Sequence, residues 1–200
     1  MAVGGYFVWS KMQAEAGELL ASIIARKEAE RVSGGGLFFW GIGNSLGQAV
    51  IDAAKLNGGS LPVMWSVMRS RPRAIDVAPA EVVRWTAYLD REGREYEVPP
   101  HVTVTSRRSG RSHHFALACC SASPLILGDH GPFDPSRCTT RSGKAPGASQ
   151  VTALLSGPSE LGQSGAPYRI AFRAELVAPW AVRLVRPVPF ALPTDGAARR

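Results

Sequence analysis

One stretch of the chain combines an apolar run, bare backbone and small polar side chains in the order that a ring-binding turn requires. The stretch is Gly34-Gly-Gly-Leu-Phe-Phe-Trp-Gly-Ile-Gly-Asn-Ser-Leu-Gly47. Residues 37–40 favour a buried strand, and glycines at 41 and 43 remove the side chains where the backbone must turn. Asn44 and Ser45 are good N-cap residues for a helix that reaches Leu56. The sequence therefore predicts a strand, a glycine turn and a helix N terminus that can receive an anion or the polar edge of a ring.

This turn differs from the phosphate-binding loops of nucleotide enzymes. Its spacing is G-x-G-x-x-x-G instead of the dinucleotide fingerprint G-x-G-x-x-G, and it lacks the Lys-Ser/Thr end of a P-loop. The next apolar run, residues 62–67, has no acidic residue placed for a ribose. These differences exclude a Rossmann domain, and close packing is the alternative reason for the glycines.

Three tryptophans lie within or at the end of predicted strands, each beside a small polar residue. A pocket that reads a base needs aromatic faces for stacking and a few polar groups at the base edge. Each tryptophan taken alone is as well explained by a place in the core. The predicted ligand-binding residues are Trp9, Ser10, Trp40, Gly41, Gly43, Asn44, Ser45 and Trp65.

Two groups of arginines supply the positive charge that a nucleic acid attracts. One group occupies alternate positions after residues 62–68, so on an extended chain its side chains share one side. The other lies in a predicted hairpin loop, residues 107–111. Arginine binds phosphate in a bidentate manner and stacks on bases, although a solvated surface position is the alternative for each. The predicted nucleic-acid-binding residues are Arg69, Arg71, Arg73, Arg107, Arg108 and Arg111.

Composition agrees with a basic globular domain. The chain has 200 residues and a formal net charge of +7, and lysine accounts for few of its positive side chains. A high-GC genome would produce the same arginine bias through codon usage, so the charge has two possible origins. We expect one domain over residues 1–193 and a disordered tail at 194–200. With no signal peptide and no apolar run of transmembrane length, we expect a cytoplasmic protein without a membrane partner.

Catalytic and metal-binding patterns are weak. None of the patterns G-x-S-x-G, H-E-x-x-H or paired carboxylates occurs, and only His130 beside Asp129 suggests a general base. The three cysteines include an adjacent pair, Cys119 and Cys120, and their spacing from His113 and His114 fits no usual zinc pattern. We therefore predict no catalytic residues, no metal and no cofactor.

The predicted elements give an α+β fold. A strand at residues 6–9, a helix at 11–31, a strand at 37–40 and a second helix are followed by strands near 62–68, 83–89 and 94–98. Residues 102–106 and 114–119 are predicted to pair as a hairpin. A long Gly/Pro-rich excursion at 121–165, with parts that are mobile, precedes strands at 168–176 and 181–185. A small curved or closed β-barrel with two early helices packed on it fits this order.

Two segments resemble the PUA-like superfamily. Ile24-Ala-Arg-Lys-Glu-Ala-Glu-Arg31 followed by Gly36-Leu-Phe-Phe-Trp40 is similar to ASCH domains, in which a Gly-Lys-Thr-x-Glu-x-Arg signature precedes a Gly-led strand. Tyr6-Phe-Val-Trp-Ser-Lys11 resembles the first strand of EVE domains. The resemblance covers about the first seventy residues. It implies a PUA-like barrel that binds DNA or RNA, with a modified base in an aromatic pocket.

The same resemblance implies an alternative function. Some ASCH proteins hydrolyse small amides on modified nucleosides with a lysine, a threonine and a glutamate. Lys27 and Glu30 match the lysine and the signature glutamate, but Glu28 occupies the threonine position. The residues themselves allow a simpler interpretation, a charged helix end with i,i+3 and i,i+4 ion pairs. A protein-interaction module without a small ligand is a third possibility.

Overall fold

A computed structural model describes residues 5–12, 19–42, 46–69, 82–107, 115–147, 150–158 and 165–191 of the chain. Within them the architecture is α+β, with two helices and a sheet of many strands. Neither described helix has the length and apolar content needed to cross a membrane. The elements are β1 (Tyr6–Lys11), α1 (Leu20–Ser33), β2 (Leu37–Ile42), α2 (Gly47–Leu56), β3 (Leu61–Met68), β4 (Val82–Leu89), β5 (Glu95–Glu97), β6 (Thr105–Arg107), β7 (Phe115–Cys120), β8 (Pro132–Phe133), β9 (Thr139–Thr140), β10 (Thr152–Ser156) and β11 (Tyr168–Pro189).

The sheet follows the order β2-β7-β11-β3-β1-β10-β9. The β1–β3 pair is parallel, and the other pairs are antiparallel. β4 joins the sheet through β11 and carries β5 and β6. The two end strands, β2 and β9, do not pair with each other in the described residues, so the sheet is open there and the predicted barrel closure is not observed.

β11 organises the sheet. It pairs with β3 over its first half, with β7 in its middle and with β4 over its last third. Its register with β7 shifts between Leu176 and Ala181, and Trp180 within this interval has a φ of 64°. A tryptophan in the left-handed region is strained, because its Cβ crowds the backbone there. The two strands predicted at 168–176 and 181–185 are therefore one strand with an irregular centre.

Both faces of the sheet are covered. The largest core cluster joins Ile24 of α1 and Val50 of α2 to sheet residues such as Trp65 and Phe172. A second cluster lies around β4, and a third lies between β1, β8 and β10. Along β3 these positions alternate, with Val63, Trp65 and Val67 in the largest cluster and Met64 in the third, as the two-residue period of a pleated sheet requires.

The turn from α1 to β2 explains the first glycines of the glycine-rich stretch. A Cβ on Gly34 would lie 2.6 Å from the carbonyl oxygen of Leu37, and Gly36 has a φ of 104°. A side chain is excluded at the first position by space and disfavoured at the second by backbone conformation. The predicted end of the helix at these glycines is confirmed.

Two local predictions need correction. Lys11 belongs to β1, and α1 begins only at Leu20. The N-cap of α2 is Leu46, without a side-chain cap, so neither Asn44 nor Ser45 takes that position. Asn and Ser are favoured N-cap residues, but the sequence does not fix a helix boundary to within one or two residues, so it could not show which residue takes the N-cap position.

The predicted hairpin between residues 102–106 and 114–119 is wrong. β6 pairs with β4, while β7 pairs with β2 and β11. Val102 and Val104 are buried in the cluster around β4, and the carbonyl of Val104 accepts a hydrogen bond from the amide of Trp85. Burial on β4 thus outweighs the local turn pattern.

The segment predicted as an excursion contributes to the core. β10 lies beside β1, where Leu155 faces Phe7 across the pair. Phe133 and Cys138 are buried in the same cluster. The Gly, Pro and Ser content of residues 121–165 therefore concealed short strands that complete one face of the sheet.

Candidate functional site

The three predicted tryptophans do not share one pocket. Trp9 pairs with Met64 and Ser10 pairs with Trp65 across the β1–β3 ladder, so the Trp9 and Trp65 side chains point to opposite faces. Trp9 is buried against Phe133, and its Nε1 donates to Ser66 Oγ at 2.8 Å. Ser10 is also buried, 3.1 Å from Thr152 Oγ1 between the two hydroxyl oxygens. Trp9 and Ser10 are core residues with satisfied polar groups.

Trp40 and Trp65 do come together, in what we call the tryptophan cluster: Phe38, Trp40, Trp65 and Phe172. The ring centroids of Trp40 and Trp65 are 5.3 Å apart in an edge arrangement, and Phe172 stacks on Trp65 at 4.7 Å. Trp65 is fully buried and Trp40 is half-buried. The Trp65 Nε1–H finds no hydrogen-bond acceptor in the described part of the chain. A buried donor without a partner costs free energy, and an acceptor on a ligand would recover it.

The tryptophan cluster lies near the strand edge from which the glycine turn departs. Ile42, the last residue of β2, pairs with Phe115, the first residue of β7. Gly47 at the start of α2 also packs there, since a Cβ on it would lie 3.6 Å from the Phe115 ring. Gly41 is the half-buried neighbour of Trp40 on β2. The predicted site residues Gly43, Asn44 and Ser45 lie outside the described residues.

Among the predicted rim arginines, the structure describes only the side chain of Arg69. Arg69 is exposed directly after β3, and it continues the alternation of Trp65 and Val67 along that strand. Arg107 ends β6 opposite Val82, and its side chain is not described. The other rim residues lie outside the described residues and stay predictions: Arg71, Arg73, Arg108 and Arg111.

The ASCH-like residues of α1 form a buried ionic cluster. Lys27 Nζ donates to both carboxylate oxygens of Glu30, at 2.8 and 2.9 Å, and to the carbonyl of Thr103 at 2.9 Å. Glu30 in turn accepts the amide of Thr103 at 2.8 Å. Three acceptors match the three protons of the Lys27 ammonium, so this lysine is engaged in holding α1 to the 102–104 segment.

The neighbouring pair has a similar role. Arg31 donates from Nε and Nη2 to the Glu28 carboxylate, each at 2.7 Å, and Glu28 also accepts the amide of Leu125 at 2.8 Å. The hydrogen bond from Arg31 holds the pKa of Glu28 below its usual value, although burial opposes this. The predicted i,i+3 pairing is thus present, and it also fixes the chain after β7.

A cleft that the sequence did not reveal opens between α2, the β4–β5 hairpin and the irregular centre of β11. We call it the hairpin cleft, and its volume is about 350 Å³. Its lining combines aromatic, apolar and charged side chains. The lining residues are Ile51, Lys55, Tyr88, Asp90, Arg91, Glu92, Arg94, Tyr96, Ala178, Pro179 and Trp180.

Fixed rings form two walls of the hairpin cleft. Tyr88 and Tyr96 stack at 5.5 Å between centroids with 20° between their planes. The Trp180 Nε1 donates to the carbonyl of Gly59 at 2.7 Å, and Lys55 Nζ lies 5.7 Å from the centroid of the Trp180 ring. Burial raises the pKa of Tyr88, with further contributions from Tyr96 and Asp90.

An ion pair holds the hairpin end of the cleft. Asp90 accepts the Arg94 amide at 2.9 Å and Arg94 Nε at 2.8 Å, and its side chain is only 8% exposed. Burial alone would raise the pKa of Asp90, but hydrogen bonds from Arg94 and Tyr96 outweigh it and hold the pKa below the usual value. No sequence motif links residues 90–93 to Trp180.

In the described residues no group of three or more His, Cys, Asp or Glu side chains could hold a metal ion. Cys119 and Cys138 are buried free thiols. Burial raises the pKa of both, so they stay protonated. Both cysteines belong to hydrophobic core clusters.

Comparison with protein-family models, with curated proteins and with solved structures found no match to this chain.

Proposed function

We propose that the chain is a nucleic-acid-binding domain of the PUA-like type, with a small curved β-barrel and a site for a modified base at the tryptophan cluster. The partner is DNA or RNA. A cytoplasmic location is part of the same proposal.

The tryptophan cluster carries the proposal through one observation, a half-buried ring beside a buried donor. Trp40 is held by two edge contacts, to Trp65 at 5.3 Å and to Phe172 at 6.2 Å, so it loses little entropy on contact with a base. Base–aromatic stacking contributes about 1 to 3 kcal/mol per base. The Trp65 Nε1–H is buried next to Trp40 and has no acceptor among the described residues, so a base edge that reaches it when the Trp40 ring moves aside would satisfy this donor.

Charge supports the same conclusion. The net charge of +7 favours a phosphate backbone, and Arg69 is exposed at the end of the strand that carries Trp65. β7 begins at Phe115, which pairs with Ile42, and Ile42 is two residues beyond Trp40 on β2. The predicted rim residues Arg108 and Arg111 precede Phe115 in the sequence. Phosphate contacts around a stacked base are the arrangement that single-strand readers use.

The alternative of amide hydrolysis has no observation in its favour. The Lys27 ammonium donates its protons to Glu30 and Thr103, and its side chain is 5% exposed. The proposal therefore concerns binding and not chemistry.

The first test measures binding of fluorescently labelled single-stranded DNA, single-stranded RNA and duplex DNA between 50 and 200 mM salt. We expect affinity to fall steeply with salt, with log K linear in log salt, because bound phosphates release counterions. Arg71→Glu and Arg108→Glu should each lower the slope by about one. Arg137→Glu, a charge reversal at an exposed arginine that is not among the predicted rim residues, serves as the matched control. Absence of binding at 50 mM salt contradicts the proposal, and so does binding by both charge-reversal variants that is as tight and as salt-dependent as binding by the original chain.

The second test separates stacking from the polar contact. Trp40→Ala should weaken every oligonucleotide by roughly tenfold or more, in keeping with loss of one stacked base. Trp65→Phe keeps a buried ring but removes the Nε1–H, so it should reduce the difference between oligonucleotides with methylated and unmodified bases. Binding that survives Trp40→Ala would place the base elsewhere.

A further inference from the structure

The hairpin cleft has the properties of a small-molecule site that is separate from the tryptophan cluster. Its volume of about 350 Å³ lies at the lower end of the range for ligand pockets, about 300 to 1,000 Å³. Three elements that are distant in sequence build it, α2, the β4–β5 hairpin and the centre of β11. Such a cleft admits one ring system and one substituent rather than a polymer.

The aromatic walls are already fixed before a ligand arrives. The Trp180 ring is held by the hydrogen bond from its Nε1 to Gly59 and lies under Lys55. Tyr96 is held by stacking on Tyr88 and by its hydrogen bond to Asp90. Rings that are already ordered bind a flat partner without further loss of side-chain entropy. The strained φ of Trp180 is the kind of backbone cost that persists at ligand sites.

The charges of the cleft divide into a satisfied set and an available set. Asp90 and Glu92 are both paired with Arg94, at 2.8 and 3.2 Å. Lys55 contacts the Trp180 ring, and Arg91 makes no ion pair with any residue that the structure describes. The donors that remain for a ligand are therefore cationic, while the carboxylates are already neutralised.

We propose that the hairpin cleft binds a small aromatic molecule with one anionic group, its ring against Trp180 and the tyrosine pair and its charge at Lys55 and Arg91. Two sources share this chemistry, a nucleoside monophosphate and an aromatic carboxylic acid. The inference does not depend on nucleic-acid binding at the tryptophan cluster.

The test titrates the full chain with AMP and with indole-3-acetate, followed by calorimetry and by the NMR shift of the Trp180 indole N–H. Adenosine and indole provide the ring without the charge, and inorganic phosphate provides the charge without the ring. We expect saturable binding of AMP, of indole-3-acetate or of both. Adenosine should bind about tenfold more weakly than AMP, or indole about tenfold more weakly than indole-3-acetate, and phosphate alone should not shift the indole N–H signal of Trp180. Binding of AMP alone identifies a nucleotide, and binding of indole-3-acetate alone identifies an aromatic acid.

Variants locate the ligand. Lys55→Gln and Arg91→Gln, both at exposed side chains, should each weaken binding roughly three- to tenfold, and Trp180→Leu should abolish it. Arg137→Gln is the matched control and should bind as the original chain does.

Three results overturn the proposal. The first is that neither AMP nor indole-3-acetate binds saturably. The second is that each charged compound binds no more tightly than its uncharged analogue. The third is that binding is lost in Trp40→Phe but has the affinity of the original chain in Lys55→Gln. The last result would assign the small molecule to the tryptophan cluster. Because the exposed lysine and arginine variants leave the core untouched, a folding failure of Trp180→Leu would not prevent the decision.

Discussion

The tryptophan cluster and the hairpin cleft present rings in different ways. In the tryptophan cluster, Trp65 and Phe172 belong to the main core, and only Trp40 is partly exposed. In the hairpin cleft, Tyr96 is 41% exposed, and the rings are held by hydrogen bonds, stacking and an ion pair at the surface. A site built from the core inherits the rigidity of the fold, whereas a site built at the surface depends on a few polar contacts.

Removal of one ring from each region should separate the two most clearly. Phe172→Ala deletes a buried ring that stacks on Trp65, and we expect a loss of about 3 to 5 kcal/mol in the free energy of unfolding. Tyr96→Ala removes an exposed ring and should cost at most about 1 kcal/mol. Urea unfolding of both variants measures the difference. Similar losses for the two would show that the hairpin cleft is as deeply integrated as the core.

A subtler change tests how Trp180 is held. Trp180→Phe keeps a ring but loses the hydrogen bond from Nε1 to Gly59, so we expect about 1 kcal/mol of destabilisation. Trp65→Phe loses an Nε1–H that has no acceptor among the described residues, but it also leaves a cavity in the main core, so we expect the larger loss there. Urea unfolding of both variants beside the original chain measures the two losses. An unchanged stability of Trp180→Phe would contradict a stabilising role of its hydrogen bond.

Acid should loosen the hairpin cleft before it affects the tryptophan cluster. The folded pKa of Asp90 is below its usual value, so ionised Asp90 stabilises the fold above the unfolded pKa, near 4, and this stabilisation is lost as pH falls through the folded pKa. The free energy of unfolding should therefore fall between about pH 5 and pH 3, and Asp90→Asn should make that fall shallower.

Asp129→Asn provides the control for this acid dependence, since Asp129 is an exposed aspartate outside the cleft. Its profile should follow that of the original chain. An Asp90→Asn profile that is as steep as the original would assign the acid sensitivity to other carboxylates.

Local pattern was sufficient for much of the fold and insufficient for the sites. The glycines at 34 and 36, the strand at residues 37–40 and the helix that ends at Leu56 follow from spacing and turn chemistry, which act over a few residues. The pairing of β6 with β4 instead of β7 depends on where Val102 and Val104 are buried, which no local pattern records.

The sites show the same division. Trp40 and Trp65 were predicted together and do meet, but the separation of Trp9 follows from the β1–β3 register, which a one-residue slip would reverse. The hairpin cleft escaped prediction because Lys55, Tyr88 and Trp180 are brought together only by the tertiary fold.

The central position of β11 sets the order in which the molecule can be completed. Without residues 168–189 the described sheet separates into a β2–β7 pair, a group made of β1, β3, β9 and β10, and β4 with its two short neighbours. A nascent chain that has not reached residue 189 lacks the strand that hydrogen-bonds these pieces into one sheet, so the sheet is completed only after β11 has been synthesised. For the same reason, a fragment without residues 168–189 would lose the backbone pairing between these groups of strands.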